Sequence, residues 1–196
     1  MTPPGEAVPA YDVSQRLGTD YYAVFADIPD ADRAVWQRAQ AFVDEVGDRM
    51  HAAWDAADYP LDLVRRLGEL DLLNDGVEHP LVTPFSPLAA GLVTMEVSRG
   101  DGSLGTVVAV QGGLALRTLA LHGSPEQQER WLRPVARAEV LAAFALTEPD
   151  HGSDAVSLET VARRDGEEWV LHGTKKWIGN GASGGITLVW ARVDDE

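Results

Sequence analysis

Residues 144–154 read FALTEPDHGSD, and residues 175–181 read KKWIGNG. The first segment begins as an apolar strand and continues into a polar loop that offers two hydroxyl groups, Thr147 and Ser153. Such a loop exposes backbone N–H groups that suit a phosphate or the carbonyl groups of a ring. The second segment sets Trp177 beside glycine backbone, a suitable surface for a flat heteroaromatic ring. These residues alone are equally consistent with a cofactor site and with a core tryptophan next to a surface turn.

The sequence around these segments predicts β-strands beyond about residue 139. Runs rich in β-branched and aromatic residues are separated by turn signals such as Asp165-Gly166. The predicted strands cover residues 140–147, 158–164, 168–172, 175–178 and 186–193. We expect them to form an antiparallel β-domain with one open strand edge, so the chain looks like part of a longer architecture.

Before residue 139, apolar residues recur at spacings of three and four, which indicates amphipathic helices. A long helix follows Asp30, and a second one starts at Asp58 or Tyr59. Later helix starts are predicted by the capping residues Ser86, Asp101 and Ser124, the last with Gln127 as its capping-box partner. The helices that follow Ser86 and Asp101 are apolar nearly all round, so we expect them to be a buried pair.

The separation of helices from strands predicts an α+β fold, in which an all-α part precedes the β-domain. We divide the chain into an N-terminal arm over 1–29, a helical domain over 30–139 and an incomplete β-domain over 140–196. The arm is rich in proline and has room for one short helix around residues 14–25.

Composition excludes several classes of protein. The chain has 196 residues with 16 basic and 31 acidic side chains, a formal net charge of −15. This charge argues against nucleic-acid binding and against docking on an anionic membrane surface. The sequence contains no uninterrupted run of 18 apolar residues, so it predicts no transmembrane helix. Cysteine is absent, which fits a cytoplasmic protein and rules out thiolate chemistry.

Other local patterns give no site. The five His are scattered and show no metal-binding spacing, so we predict no metal. Asp150, His151 and Ser153 are adjacent, but no nucleophile elbow surrounds the serine. The glycine-rich segment 179–185 precedes a strand rather than a helix, so it is not a dinucleotide fingerprint. For Gly102, Gly105, Gly112 and Gly113 we favour close helix packing over the approach of a ligand.

The sequence resembles the acyl-CoA dehydrogenase family of flavoproteins. The resemblance spans about residues 20–196 and is nearest to the branch of glutaryl-CoA dehydrogenases and short-chain acyl-CoA oxidases. The family has an N-terminal helical, a middle β and a C-terminal four-helix domain, and this chain resembles the first and much of the second. The matching motifs are residues 146–149, 152–154, 176–178 and 180–181, with 123–128 and 131–132 in the helical part.

The resemblance implies FAD as cofactor and acyl-CoA as substrate. The residues that it places at FAD are Phe144, Leu146, Thr147, Ser153, Trp177, Ile178 and Gly179. Ser153 also lies where the family contacts acyl-CoA, and Gly179 replaces a common Thr. The implied reaction is α,β-desaturation of the thioester, in which a carboxylate takes the α-proton and the flavin accepts the hydride. In the resembled branch that base is a Glu of the C-terminal domain, so we assign no catalytic residue.

The resemblance also bears on substrate and partners. Alignment places Gly105 where glutaryl-CoA dehydrogenases have an Arg for the distal carboxylate, and Thr106 where they have a small hydroxyl residue. We therefore expect short or branched uncharged acyl chains, unless Arg117 supplies the cation. The expected electron acceptor is an electron-transfer flavoprotein or another acceptor, and the full-length form is expected to be a homo-oligomer. The alternatives are a non-catalytic module that associates with a fuller flavoprotein subunit and an oxidase that produces peroxide.

Overall fold

The structure, a computed structural model, describes residues 22–193. Residues 14–21 of the predicted short helix, and most of the arm, lie outside this range, and the next residues form turns. The helices are α1 (Asp30–Ala56), α2 (Leu61–Glu69), α3 (Pro87–Gly100), α4 (Gly102–Val108), a π-helix (Ala109–Leu116), α5 (Arg117–His122), α6 (Pro125–Ala136) and a 3₁₀ turn (Ala155–Ser157). The strands are β1 (Ala142–Ala145), β2 (Val161–Asp165), β3 (Glu168–His172), β4 (Ile186–Val189) and β5 (Arg192–Val193). Helices followed by strands confirm the predicted α+β class.

The predicted capping residues confirm where three helices begin. The Ser86 side chain accepts a hydrogen bond from Ala89 N, and Asp101 accepts one from Leu104 N. Ser124 and Gln127 form the reciprocal capping box at the start of α6. Each cap satisfies a backbone N–H that the first helical turn leaves without a partner.

The helices bury a core between α1, α2, α3 and α4. Its largest fully buried members are Phe42, Leu63, Leu67, Leu72 and Leu73. Helix α3 packs on both α1 and α4, as predicted for this pair. The two helices are not buried all round, however, because Leu88, Met95, Leu114 and Leu121 are exposed. A second core cluster, around Leu116, Leu132 and Val135, includes Ala142 of β1 and joins the helices to the first sheet.

Helix α4, the π-helix and α5 form one continuous helix, Gly102–His122. The mean hydropathy of its most apolar 18-residue window is 1.5, and half of that window is buried inside the fold. By length and composition alone it would suffice to cross a membrane, but the core helix of a soluble protein passes the same test. The unexpected feature of this helix is the eight-residue π-helical segment in its middle.

The strand directions differ from the predicted antiparallel arrangement. β2 and β3 form the expected antiparallel hairpin, whereas β1 pairs with β4 and β2 pairs with β5 in parallel. A parallel pair needs a long connection, and residues 146–185 supply it between β1 and β4. The predicted strand over 175–178 is wrong: this segment is irregular, and Trp177 has a φ of +61°.

Candidate functional site

The segments 144–154 and 175–181 lie side by side. The backbone N–H of Lys176 donates to the carbonyl oxygen of Thr147 at 2.9 Å. The Thr147 hydroxyl makes no hydrogen bond with any residue in 22–193, and Trp177, one residue beyond Lys176, is 83% exposed. A free hydroxyl and an exposed indole therefore flank one backbone contact.

A buried ion pair holds these two segments together. Glu148 is 4% exposed, and its carboxylate accepts hydrogen bonds from the ammonium of Lys175 at 2.8 Å and from the backbone N–H of Thr160 at 2.8 Å. The Thr160 hydroxyl and the Glu159 N–H also donate to it. Lys175 Nζ makes a second bond, of 3.0 Å, to the carbonyl of Leu146. Both charges are therefore compensated inside the fold, as buried charges require.

This environment fixes the protonation state of Glu148. Burial alone would raise the pKa of its carboxyl group, but hydrogen bonds from Glu159, Lys175 and Thr160 outweigh burial and hold the pKa well below its usual range. A carboxylate with a lowered pKa and four donors is a poor proton acceptor. Glu148 thus organises the site and does not act as its base.

A second buried polar cluster joins the π-helix to the other side of the site. The side chain of Gln111, which is fully buried, donates to Val135 O and Val140 O at 2.9 Å each. Its oxygen accepts from Ala142 N at 2.9 Å and from Asn180 Nδ2 at 3.3 Å.

Asn180 is held by further contacts. Its Nδ2 also donates to Ala142 O at 3.1 Å, and its Oδ1 accepts from the Tyr59 hydroxyl at 2.9 Å. Its φ is +62°, a left-handed conformation that Asn tolerates better than most residues. Burial raises the pKa of Tyr59, so its hydroxyl stays protonated and able to donate.

The remaining residues predicted at the cofactor occupy different surroundings. Phe144 lies in β1 and packs on Trp190 with ring centroids 5.7 Å apart. Leu146 and Ile178 are partly buried, and Ser153 is exposed in its loop. A Cβ at Gly179 would lie 3.4 Å from the Val110 side chain, an ordinary contact, so the exposed Gly179 leaves room for a larger residue.

The predicted substrate residues lie on α4. Gly105 is buried against α3, where an added Cβ would come within 2.1 Å of Ser98 Oγ. Thr106 is exposed, and its hydroxyl bonds back to Gly102 O. Gly105 and Gly112 thus confirm the close-packing interpretation, whereas Gly102 has open space around its Cβ position.

The part of the chain that the structure describes holds no group of three metal-ligating side chains. It does hold an apolar cleft of about 410 Å³ beside Tyr59, between α1 and α4. Its lining residues are Met50, Ala53, Trp54, Ala57, Asp58, Tyr59, Pro60, Ser103, Leu104 and Val107.

Comparison with known proteins agrees with this arrangement. Residues 29–139 match the family model of the acyl-CoA dehydrogenase N-terminal domain, and residues 143–196 match that of the middle domain. The chain belongs to the acyl-CoA dehydrogenase family. Mitochondrial short-chain specific acyl-CoA dehydrogenase of Rattus norvegicus is 34% identical over 97% of this chain. Benzylmalonyl-CoA dehydrogenase of Aromatoleum aromaticum is 33% identical over 87% of it.

Solved structures of the acyl-CoA dehydrogenase family share the fold. A glutaryl-CoA dehydrogenase from Mycobacterium smegmatis in complex with FADH₂ superposes with a TM-score of 0.84 and 32% identity over 89% of this chain. The chain spans less than half of the length of these relatives, 46% of the two dehydrogenases compared by sequence and 45% of the solved structure.

Sequence reasoning missed three residues of this candidate site: Gln111, Lys175 and Tyr59. A signal existed for two of them. Gln111 is an amide in a long apolar helix that was expected to be buried, and a buried amide needs partners. Lys175 is one of only two lysines in the sequence, and both stand beside Trp177.

Proposed function

We propose that this chain forms the helical and middle parts of an FAD-dependent acyl-CoA dehydrogenase that desaturates an acyl-CoA thioester between its α and β carbons. We call residues 144–154 the first cofactor segment and residues 175–181 the second. The observation that carries the proposal is the hydrogen bond that joins these two segments at Thr147 and Lys176 in a chain of this family. The activity needs a carboxylate base, and Glu148 is unsuited to that role. The proposal therefore places the base in a part of the enzyme beyond the matched domains.

The residues present fit a flavin. Trp177 offers an exposed aromatic face, the backbone around Gly179 is open, and the Thr147 hydroxyl is available to donate. We place Phe144, Leu146, Thr147, Ser153, Trp177, Ile178 and Gly179 at FAD. When bound, FAD supplies the two-electron acceptor that desaturation requires. The chain's own residues bind and orient it: Thr147 donates to the polar edge of the ring, and Trp177 covers apolar surface and excludes water.

The substrate proposed is an acyl-CoA with a short or branched uncharged chain, met by Ser153 and Thr106, whereas Gly105 packs against Ser98 of α3. Gly105 carries no cation for a distal carboxylate. Arg117, the alternative cation, already donates to Asp75 O at 3.1 Å and pairs with the Asp75 carboxylate at 3.2 Å. The apolar cleft beside Tyr59 is lined by no Arg or Lys within the described chain. Electrons would leave to an electron-transfer flavoprotein or another acceptor, and the working form would be a homo-oligomer.

The cofactor site is tested by a matched pair of tryptophan variants. Trp177→Ala should weaken FAD binding roughly two- to twelvefold, because it removes an aromatic contact worth about 0.5–1.5 kcal/mol. Trp169→Ala, at an exposed tryptophan of the β2–β3 hairpin, should leave FAD affinity unchanged. Flavin fluorescence titration measures both. Equal effects of the two variants would contradict the assignment of the site.

Two parts of the proposal need separate measurements: that this chain supplies only part of the flavin pocket, and that the substrate is uncharged. The 196-residue chain alone should bind FAD weakly, since the family completes its flavin pocket with a further domain and a neighbouring subunit. Tight stoichiometric binding by the monomer would refute this.

An enzyme that contains the C-terminal part should turn over butyryl-CoA faster than glutaryl-CoA. A clear preference for glutaryl-CoA would overturn the argument at Gly105. Tight FAD binding without turnover would favour the non-catalytic module instead.

A further inference from the structure

The π-helix brings Gln111 into the interior. Gln111 is the third residue of the segment Ala109–Leu116, and the helix is α-helical on both sides of it. π-Helical turns are rare and occur frequently at functional sites. The next residue, Gly112, approaches the carbonyl of Leu73 so closely that an added Cβ would lie 2.1 Å from its oxygen. The helix therefore packs directly against the backbone of Leu73 at the residue that follows Gln111.

The Gln111 amide uses its full hydrogen-bonding capacity. Its NH₂ group donates two bonds, to Val135 O and Val140 O, and its oxygen accepts two, from Ala142 N and Asn180 Nδ2. These partners lie on α6, on β1 and its approach, and on the second cofactor segment. One neutral side chain thus connects the helical part, the first strand and the loop that follows Trp177.

Asn180 links Gln111 to the backbone of residues 176–184. Its backbone carbonyl accepts from Ser183 N at 3.1 Å and from Gly184 N at 2.6 Å, so the turn that follows closes on it. Upstream, the segment is fixed to the first cofactor segment through Lys176 N and Thr147 O. Trp177 lies between these two anchors. Without the contacts of Asn180 to Gln111, Ala142 and Tyr59, the next hydrogen bond from this stretch to another element would be that of Gly185 N to Leu141 O, at 2.7 Å.

We propose that Gln111 is a positioning residue: through Asn180 and Ala142 it holds the segment Trp177–Gly181 against β1 and so sets the surface on which the cofactor rests. The part of this inference that concerns the cofactor rests on the proposed function. The part that concerns the segment does not, and it can be measured on the chain without any flavin. Because the bonds are made by two amides, the effect does not depend on the charge of either residue.

Hydrogen exchange of the flavin-free chain tests the inference. Gln111→Met keeps the length and burial of the side chain and removes its four bonds. We expect exchange of the hydrogen-bonded amides of Gly181, Ser183 and Gly184 to accelerate at least tenfold and exchange in α1 and α3 to stay unchanged. Gln128→Met is the matched control, because Gln128 makes one bond, to Ala120 O at 2.9 Å, on α6 away from the segment. It should leave residues 176–184 unchanged.

A spectroscopic signature separates positioning from general stabilisation. In the ¹H–¹⁵N spectrum of Gln111→Met, the indole signal of Trp177 should shift, whereas those of Trp36 and Trp131 should not. Faster exchange spread evenly over α1, α3 and the segment would show that Gln111 only stabilises the core. Unchanged exchange over 176–184 would show that the segment does not depend on it. Either outcome overturns the inference.

Tyr59→Phe keeps the inference testable if Gln111→Met fails to fold. It removes one hydroxyl at an exposed residue and one bond to Asn180. Exchange at Gly184 should accelerate severalfold, and an unchanged rate would count against Asn180 as the transmitting residue. FAD affinity is measured afterwards on the same variants. Loosening of the segment without loss of FAD affinity would leave the positioning of the segment intact and contradict the placement of FAD on it.

Discussion

Alanine at two adjacent glycines of the π-helix should have opposite effects on stability. At Gly112 an added Cβ would lie 2.1 Å from the carbonyl oxygen of Leu73, and real Cβ atoms essentially never come closer than 3.0 Å. Helix and core must therefore separate by about 0.9 Å. At Gly113 the nearest atom is an oxygen of the Asp75 side chain at 3.4 Å, an ordinary contact with a flexible group.

Comparing Gly112→Ala with Gly113→Ala isolates the steric cost of the added methyl group. Both substitutions gain helix propensity, worth about 1 kcal/mol for Gly→Ala, and this gain cancels in the comparison. What remains is the overpacking of Gly112→Ala, about 1–3 kcal/mol. Gly113→Ala should therefore be the more stable variant by that amount. With a urea dependence of about 2 kcal/mol per M, the midpoints should differ by about 0.5–1.5 M. If Gly112→Ala proves as stable as Gly113→Ala, the π-helix does not press on Leu73 and the register around Gln111 is wrong.

Two further outcomes are expected. Because the pKa of Glu148 is lowered in the folded state, its stabilising contribution is present above its unfolded pKa of about 4.5 and is lost as the pH falls below that value. Urea midpoints between pH 6 and pH 3 should therefore fall more steeply for the wild type than for Glu148→Gln, and parallel curves would refute the lowered pKa. Gly179→Thr, with its Cβ in ordinary contact with Val110, should fold normally and bind FAD two- to tenfold tighter through one added hydroxyl; weaker binding would place the ring elsewhere.

Local chemistry predicted the helical part well. Ser86, Asp101 and Ser124 each bond to a backbone N–H within three residues, so the sequence window that contains the cap also contains its partner. The same locality holds for the hairpin turn at Asp165-Gly166, where Gly166 adopts a φ of +61°. Caps and turns of this kind depend on the chain nearby, and their residues can be recognised without knowing the fold.

The rest of the site depends on contacts between distant residues. Gln111 and Asn180 are 69 positions apart, and Lys175 reaches Glu148 across 27. The apolar run after Asp101 indicates a helix. Its periodicity does not reveal the π-helical turn, which lies where the helix approaches Leu73. The segment around Trp177 has the composition of a strand. The φ angles of Trp177 and Asn180 are positive, and Asn180 bonds to residues distant in the sequence, so a pattern of neighbours could not show this conformation.

The Glu148–Lys175 pair also closes a loop in the chain. Residues 149–174 leave and return at this buried pair, which Thr160 joins, and the start of β2 is also tied to β5. Beyond Ala162, which is buried and pairs with β5, the remaining residues of β2 are exposed, as is every residue of β3. The length of this hairpin can therefore change without moving either cofactor segment, since lengthening a solvent-exposed loop adds little entropic cost. The turn at Gly166 is the place where this scaffold should accept an inserted peptide, an affinity tag or a fused domain.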